Sequence, residues 1–226
     1  MVQTSDGGYA IVGQTNSFGA GGYDFWLVKT DESGTMEWNR TYGGTGNDYA
    51  RAMVRSADEG YALAGATTSL GAGDWDFWLI RTDASGNEQW NETYGGASFD
   101  FASCTIQTND GGYAMVGTTY SFVDGSGCFW LVKTDSEGRA QWNQTYLVTG
   151  SDHGNSLLQT SDSGYLLVGL SGAYSWKDFL IIKTDGVGVV SEFPVTMIPL
   201  VAMITVSLSL ALIKAKIRRR AAYSNA

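Results

Sequence analysis

Residues 24–31 read DFWLVKTD. This block of strand-forming residues between two aspartates returns three more times with small changes, as DFWLIRTD at 76–83, CFWLVKTD at 128–135 and DFLIIKTD at 178–185. A turn block recurs every 52 residues and reads QTSDGGY at 3–9, with further copies at 55–61, 107–113 and 159–165. A third block begins with tryptophan and occurs at 38–44, 90–96 and 142–146. The 226-residue chain therefore contains four copies of a 52-residue unit, and the fourth copy lacks the tryptophan block.

Each unit offers four short candidate strands separated by turn residues. In the third unit these candidates are Ala102–Thr108, Tyr113–Thr119, Phe129–Thr134 and Gln141–Tyr146. Short apolar runs with turn residues every 8 to 12 positions or so, and no helical period, indicate strands. Four strands in about 40–50 residues, repeated in tandem, are typical of a β-propeller blade. The sequence predicts an all-β fold of four blades, with about four strands each, in residues 1–186.

A turn of the form Asp-x-x-Gly-x-x-x-Trp follows the third strand of the first three units. We expect the aspartate to cap the turn through backbone N–H groups and the glycine to adopt a positive φ. The tryptophans are expected to pack between neighbouring blades, at Trp38, Trp90 and Trp142. This turn resembles the tryptophan-docking blades of quinoprotein-like propellers, and the repeated blocks of residues 3–186 resemble surface β-propeller repeats of archaea and some bacteria. The resemblance implies a fold rather than an activity, because propellers carry many functions.

Charge and composition exclude several functional classes. Residues 1–192 hold all 23 acidic residues and nine of the 14 basic ones, a net charge of −14, which would repel a nucleic acid. One histidine, His153, and two cysteines, Cys104 and Cys128, leave too few ligands for a zinc site built on these residue types. No G-x-S-x-G motif accompanies His153, which breaks the repeat and is interpreted as incidental. We expect two unpaired thiols, because the strands that carry them should not be direct neighbours.

The C-terminal sequence predicts one transmembrane α-helix. After a short linker at 187–192, residues 193–213 contain no charge, and 21 helical residues are just enough to cross a bilayer core of roughly 30 Å. The basic tail at 214–226 starts with five cations in seven positions. By the positive-inside rule the tail is cytoplasmic, and the repeats lie outside a single-pass cell-membrane protein. The alternative interpretation of the apolar segment is a buried core helix.

Residues 191–194 read SEFP and precede the apolar segment. Together with the basic tail they resemble the C-terminal Pro-Glu-Phe sorting signals of archaeal surface proteins. That resemblance implies recognition by an archaeosortase, cleavage near the motif and lipid attachment. Ser191 stands where such a signal has its leading proline, and a permanent anchor is the simpler interpretation.

The two ends of the repeat region are incomplete as blades. The first strand is short, and the fourth unit lacks its last strand. The sequence is therefore interpreted either as the C-terminal part of a longer propeller or as four blades that close on themselves or associate between chains. An open arc would expose two apolar blade faces. We therefore expect closure or self-association through the end blades.

Two sets of repeated polar residues are candidate sites. Asp48, Asp100 and Asp152 precede the innermost strands and could form a carboxylate ring that binds Ca²⁺, or could each hydrogen-bond the loop between blades. Repetition favours the second interpretation, because every blade must close the same loop. Asn39, Asn91 and Asn143 lie in N-x-T glycosylation sequons, although these residue types also suit an outer strand.

These observations predict a membrane-anchored cell-surface propeller that acts as a binding or scaffolding module. A protein or glycan ligand is expected at the rim of the propeller, and no cofactor is predicted apart from Ca²⁺ as an option. The alternative is a fragment of a larger propeller enzyme, a glycan hydrolase or a quinone-linked oxidoreductase. A remnant without function is a third interpretation.

Overall fold

The computed structural model describes residues 1–148, 151–172 and 178–190. These residues form 15 strands in four antiparallel sheets, and the strands of each sheet follow the order of the chain. Sheet 1 contains β1 (Val2–Gln3), β2 (Tyr9–Thr15), β3 (Asp24–Thr30) and β4 (Met36–Tyr42). Sheet 2 contains β5 (Asp48–Arg55), β6 (Tyr61–Thr67), β7 (Asp76–Thr82) and β8 (Glu88–Tyr94). Sheet 3 contains β9 (Asp100–Gln107), β10 (Tyr113–Thr119), β11 (Cys128–Thr134) and β12 (Ala140–Tyr146). Sheet 4 contains β13 (His153–Gln159), β14 (Tyr165–Ser171) and β15 (Asp178–Thr184).

The all-β prediction is confirmed, and the strands of sheet 3 begin and end within two residues of the predicted ones. The described residues contain no helix that is long and apolar enough to cross a membrane. The predicted membrane helix at 193–213 and the basic tail at 214–226 lie outside those residues. The repeated sheets fit a β-propeller-like repeat fold.

The turn after the third strand has the predicted geometry. Asp31 Oδ1 accepts hydrogen bonds from the backbone N–H groups of Ser33 and Thr35, at 2.9 and 2.8 Å. Gly34 has a φ of +86°, which an L-residue adopts only at a cost. The three later copies of the turn repeat both features, with their glycines at 86, 138 and 188.

Consecutive sheets pack face to face. Three hydrophobic clusters lie between sheets 1 and 2, 2 and 3, and 3 and 4. In the first cluster Phe25 of sheet 1 meets Trp78 of sheet 2, with ring centroids 4.9 Å apart. Among the described residues no cluster joins sheet 4 back to sheet 1, and none of the sheets closes on itself. The first strands β5, β9 and β13 lie beside one another and form the inner side of the stack.

Candidate functional site

A row of aromatic rings runs along one end of the inner strands. Tyr49 stacks on Trp75 with centroids 4.9 Å apart and an angle of 27° between the rings. Phe101 lies 5.0 Å beyond Trp75, and Tyr23 lies 5.3 Å from Tyr49 on the other side. Consecutive rings of the row are 26 residues apart in the sequence. Tyr23 and Trp75 lie in the loops before the third strands β3 and β7, and Tyr49 and Phe101 lie on the first strands β5 and β9.

The row leads to a cleft of about 700 Å³ on the inner strands of sheets 2, 3 and 4. A cleft of this size is in the range of small-ligand sites. Its wall combines aromatic rings with hydrogen-bonding and cationic side chains, mainly Arg51, Phe99, Phe101, Tyr120, His153 and Asn155. Phe99 is 46% exposed, and Arg51 and Asn155 are also exposed, so the wall is open to a ligand.

The cleft lies where the repeat changes. Gly127 occupies the position that Trp75 has one unit earlier, and a Cβ at Gly127 would lie 2.8 Å from Cζ of Tyr120. The ring of Tyr120 thus fills the space of the next aromatic side chain in the row. His153 replaces the Phe101 of the preceding unit, and its Nδ1 lies 3.2 Å from Oγ1 of Thr118. The wall is therefore specific to this part of the chain and is not a by-product of the repeat.

The predicted carboxylates Asp48, Asp100 and Asp152 are fully buried where the inner strands begin. Asp48 Oδ2 accepts hydrogen bonds from the backbone N–H of Gly44 at 3.0 Å and from Oγ of Ser69 at 2.7 Å. Asp100 makes the corresponding pair of bonds, and Asp152 accepts one from a backbone N–H in the loop before it. Each carboxylate therefore holds the loop that enters its strand.

Two of these carboxylates each meet a second buried aspartate from the preceding sheet. Burial raises the pKa of Asp24, and the nearby Asp48 raises it further; burial and Asp100 act on the pKa of Asp76 in the same way. One oxygen of each of the four side chains has no hydrogen-bond partner. A Cβ on Gly43 would lie 1.8 Å from Asp24 Oδ1 and 2.6 Å from Asp48 Oδ2, so the two carboxylates meet against this glycine.

Buried carboxylates with an unpartnered oxygen can take up a proton or a cation. Within the described residues, no group of three or more His, Cys, Asp or Glu side chains could hold a metal ion. Binding of Ca²⁺ at Asp48, Asp100 and Asp152 therefore stays a prediction. Cys104 and Cys128 are free thiols.

The three tryptophans of the third sequence block lie between sheets. Trp38 packs on the turn of sheet 2, where a Cβ on Gly86 would lie 2.7 Å from the Trp38 ring. The hydroxyl of Tyr42 donates to the carbonyl oxygen of the same glycine at 2.6 Å. The same glycine contact recurs for the other two tryptophans, Trp90 on Gly138 and Trp142 on Gly188.

The sequon asparagines bind a different set of tryptophans. Their side-chain carbonyls accept hydrogen bonds of 3.0–3.2 Å from indole N–H groups on the neighbouring third strand, in the pairs Asn39–Trp26, Asn91–Trp78 and Asn143–Trp130. The asparagines lie on the outermost strands β4, β8 and β12. Their glycosylation stays a prediction.

Sequence reasoning missed a repeated ion pair between a cation of the third strand and an exposed aspartate of a turn. The Lys133 side chain is 4% exposed, and its Nζ donates to Asp110 Oδ2 at 2.8 Å and to the Thr134 carbonyl at 2.7 Å. Burial raises the pKa of Asp110, but the bonds from Lys133, Thr108 and Gly112 outweigh it and lower the pKa to about 2. The other units have the same pair, as Asp6–Lys29, Asp58–Arg81 and Asp162–Lys183. The regular spacing of an acidic turn residue and a cation inside an apolar strand could have revealed it.

No protein-family model matches the chain, and no curated protein matches it. Three features of the described residues remain as candidates for function: the cleft, the buried aspartate pairs and the sequon asparagines. Of these, the cleft is open to solvent and large enough for a small ligand.

Proposed function

We propose that the protein is a cell-surface β-propeller module, anchored in the membrane by residues 193–213, that binds a glycan in the cleft of its inner strands. The observation that carries this proposal is the change of the repeat at the cleft, where Gly127 and His153 replace aromatic residues and Tyr120 turns inward. The changes at Gly127 and His153 and the ring of Tyr120 come together at one cleft, and a ligand site there would account for all three.

The chemistry of the wall suits a sugar. The rings of Phe99, Phe101 and Tyr120 offer flat apolar surface to the C–H faces of a sugar ring, and Asn155 offers an amide to its hydroxyls. The side chain of Arg51 adds a positive charge to the wall of an otherwise acidic body. A guanidinium pairs with a carboxylate through two parallel hydrogen bonds, so we favour a uronate-containing oligosaccharide.

The anchor follows from charge and length. Residues 193–213 are uncharged and long enough to cross a bilayer, and the cations after them favour a cytoplasmic tail. This orientation would place the acidic repeats and the cleft on the outer face of the cell. A ligand from the cell wall or the medium could reach the cleft there.

Binding of a uronate hexamer and of a neutral glucan hexamer to the full chain in detergent tests the proposal. Titration calorimetry should show binding of the uronate. Arg51→Ala should weaken it about tenfold or more, the effect expected for one lost hydrogen-bonded charge. His153→Tyr, which restores the aromatic residue of the repeat, should weaken it too.

Arg139→Ala is the matched control, because Arg139 is an exposed arginine in a turn of sheet 3 and is not part of the cleft wall. It should bind like the unaltered chain. Equal affinities for Arg51→Ala and Arg139→Ala, or no binding of either hexamer, would refute a glycan site in this cleft.

A further inference from the structure

The two ends of the stack expose apolar faces that are covered elsewhere in the chain. The first end face, which points away from sheet 2, carries Ile11, Trp26 and Val28. The last end face, which points away from sheet 3, carries Leu158, Phe179 and Ile181. Phe179 is 66% exposed, whereas the equivalent phenylalanines of the other three sheets, at 25, 77 and 129, are fully buried.

Within the chain, faces of these two kinds pack on each other. The phenylalanine of one sheet meets the tryptophan of the next, as in Phe25–Trp78 and in Phe77–Trp130, whose centroids are 4.6 Å apart. Within the described residues, Trp26 has no preceding sheet to supply a phenylalanine, and Phe179 has no following sheet to supply a tryptophan. The last end face thus has the residues that receive a following sheet, and the first end face has the residues that pack on a preceding one.

A polar contact follows the same rule. The Nε2 of Gln107 donates to the Gly111 carbonyl at 3.3 Å, and its Oε1 accepts the backbone N–H of Ala57 from the preceding sheet at 2.9 Å. Gln3, at the first end face, makes the same bond to the Gly7 carbonyl, also at 3.3 Å. Gln3 therefore has the conformation that accepts an N–H from a preceding sheet. The equivalent donor on sheet 4 is the backbone N–H of Ser161.

We propose that the last end face binds the first end face of a second copy of this chain, and that two copies joined in this way form a closed ring of eight sheets. Phe179 of one copy then contacts Trp26 of the other, and Ser161 donates to Gln3. A head-to-tail interface of this kind closes only as a ring, and eight blades are within the range of known propellers. Two copies cover all four end faces.

The contact between copies should be weaker than the contacts within the chain. Inside the chain each interface also has a tryptophan on the glycine of the next turn, such as Trp38 on Gly86. The corresponding glycine of sheet 1 is Gly34, and no atom lies within 4 Å of the position of a Cβ there. The fourth unit lacks the tryptophan block of the other three, and proline stands at 194, the position 52 residues after Trp142. A dimer that dissociates on dilution is therefore expected.

The test is the mass of the full chain in mild detergent, measured by light scattering over a range of concentrations. The expected mass is twice the 24.3 kDa of the chain at high concentration. Phe179→Asp and Ile11→Asp each place a charge in both contacts of the ring, and each should give a monomer. A mixture of the two variants should recover a dimer, because one contact between them is unaltered.

Phe122→Asp is the control, since Phe122 is 50% exposed but lies on neither end face, and it should leave the dimer intact. Circular dichroism checks that every variant is folded.

A monomer at all concentrations would overturn the proposal, and preceding sheets or residues 191–226 would then be left to cover the end faces. A dimer that survives both aspartate variants would assign the association to the apolar tail. Loss of the dimer in only one variant would indicate a symmetric contact of like faces and would also overturn it. Glycan binding is measured separately, so either proposal can fail alone.

Discussion

The inner sheets and the end sheets have nearly the same sequence but different surroundings. Trp78 and Trp130, on sheets 2 and 3, are almost fully buried, whereas Trp26 at the same position of sheet 1 is only half-buried. Leu79 and Leu131 are fully buried, but Ile181 of sheet 4 is exposed. The difference comes from the neighbour and not from the residue, because a sheet of a repeat protein cannot bury both of its faces alone. Equivalent substitutions in inner and end sheets therefore measure what the neighbour contributes.

The largest difference is expected for the phenylalanine of the third strand. Phe129→Ala opens a cavity between sheets 3 and 4 and should lower the free energy of unfolding by about 3–5 kcal/mol. Phe179→Ala, studied in dilute solution where copies do not associate, should lower it by less than about 1 kcal/mol, because the ring is exposed. Urea unfolding followed by tryptophan fluorescence measures both. Equal losses would mean that the last end face is covered within one chain.

The turn glycines give a second matched pair. Gly86 and Gly34 both have positive φ, so alanine at either position costs about 1–2 kcal/mol of backbone strain. At Gly86 the new methyl group would also overlap the ring of Trp38, and this steric clash should lower the free energy of unfolding by about 1–3 kcal/mol more. Gly34→Ala meets nothing and should show the strain alone. Urea unfolding measures both variants. Equal stabilities would mean that the packing of Trp38 does not require its close approach to Gly86.

The repeat explains why the fold was accessible from the sequence. The 52-residue period, the turn residues and the apolar runs determine which residues form strands, and the strands of sheet 3 lie within two residues of the predicted ones. The aspartate of the tryptophan turn caps it as expected, because that contact spans only two to four residues. Local chemistry and a repeated period thus carry this part of the prediction.

The site depends on contacts between segments that are distant in the sequence, which no local pattern reveals. Tyr49 and Trp75 belong to different segments of one unit, and their stacking depends on how inner strands and loops meet. The pairing of Asp24 with Asp48 crosses from one sheet to the next. His153 was noticed as a break in the repeat, but its place in the wall of a cleft follows only from the packing of three sheets.

A smaller effect is expected at the ion pair of an inner sheet. The pKa of Asp110 is about 2 in the folded protein and about 3.9 in an unfolded chain, so its contribution to stability is present above pH 4 or so and is lost as the pH falls toward 2. Asp110→Asn should make the free energy of unfolding less dependent on pH in this window. The pH-dependent part that is lost should be less than about 1 kcal/mol, because the carboxylate is partly exposed. Urea midpoints between pH 2 and 6 measure it. The control Asp124→Asn removes an exposed loop carboxylate and should leave the slope unchanged; an equal change in both variants would argue against the ion pair.

The last comparison leaves the sequence unaltered and sets the half-buried Cys104 against the fully buried Cys128, both on sheet 3. Burial, followed by the charges of Asp152 and Asp100, raises the pKa of Cys128 from 9.0 to about 11. At pH 8 the reactive thiolate is therefore about a hundredfold rarer than in an unfolded chain, before any steric protection. Cys104 is half-buried and should react first with a thiol reagent. Mass spectrometry of the labelled peptides gives each rate, and the denatured protein is the control. Because Cys128 is fully buried, its rate reports the local opening of the structure around β11. Equal rates for the two thiols in the folded protein would show that burial does not protect Cys128.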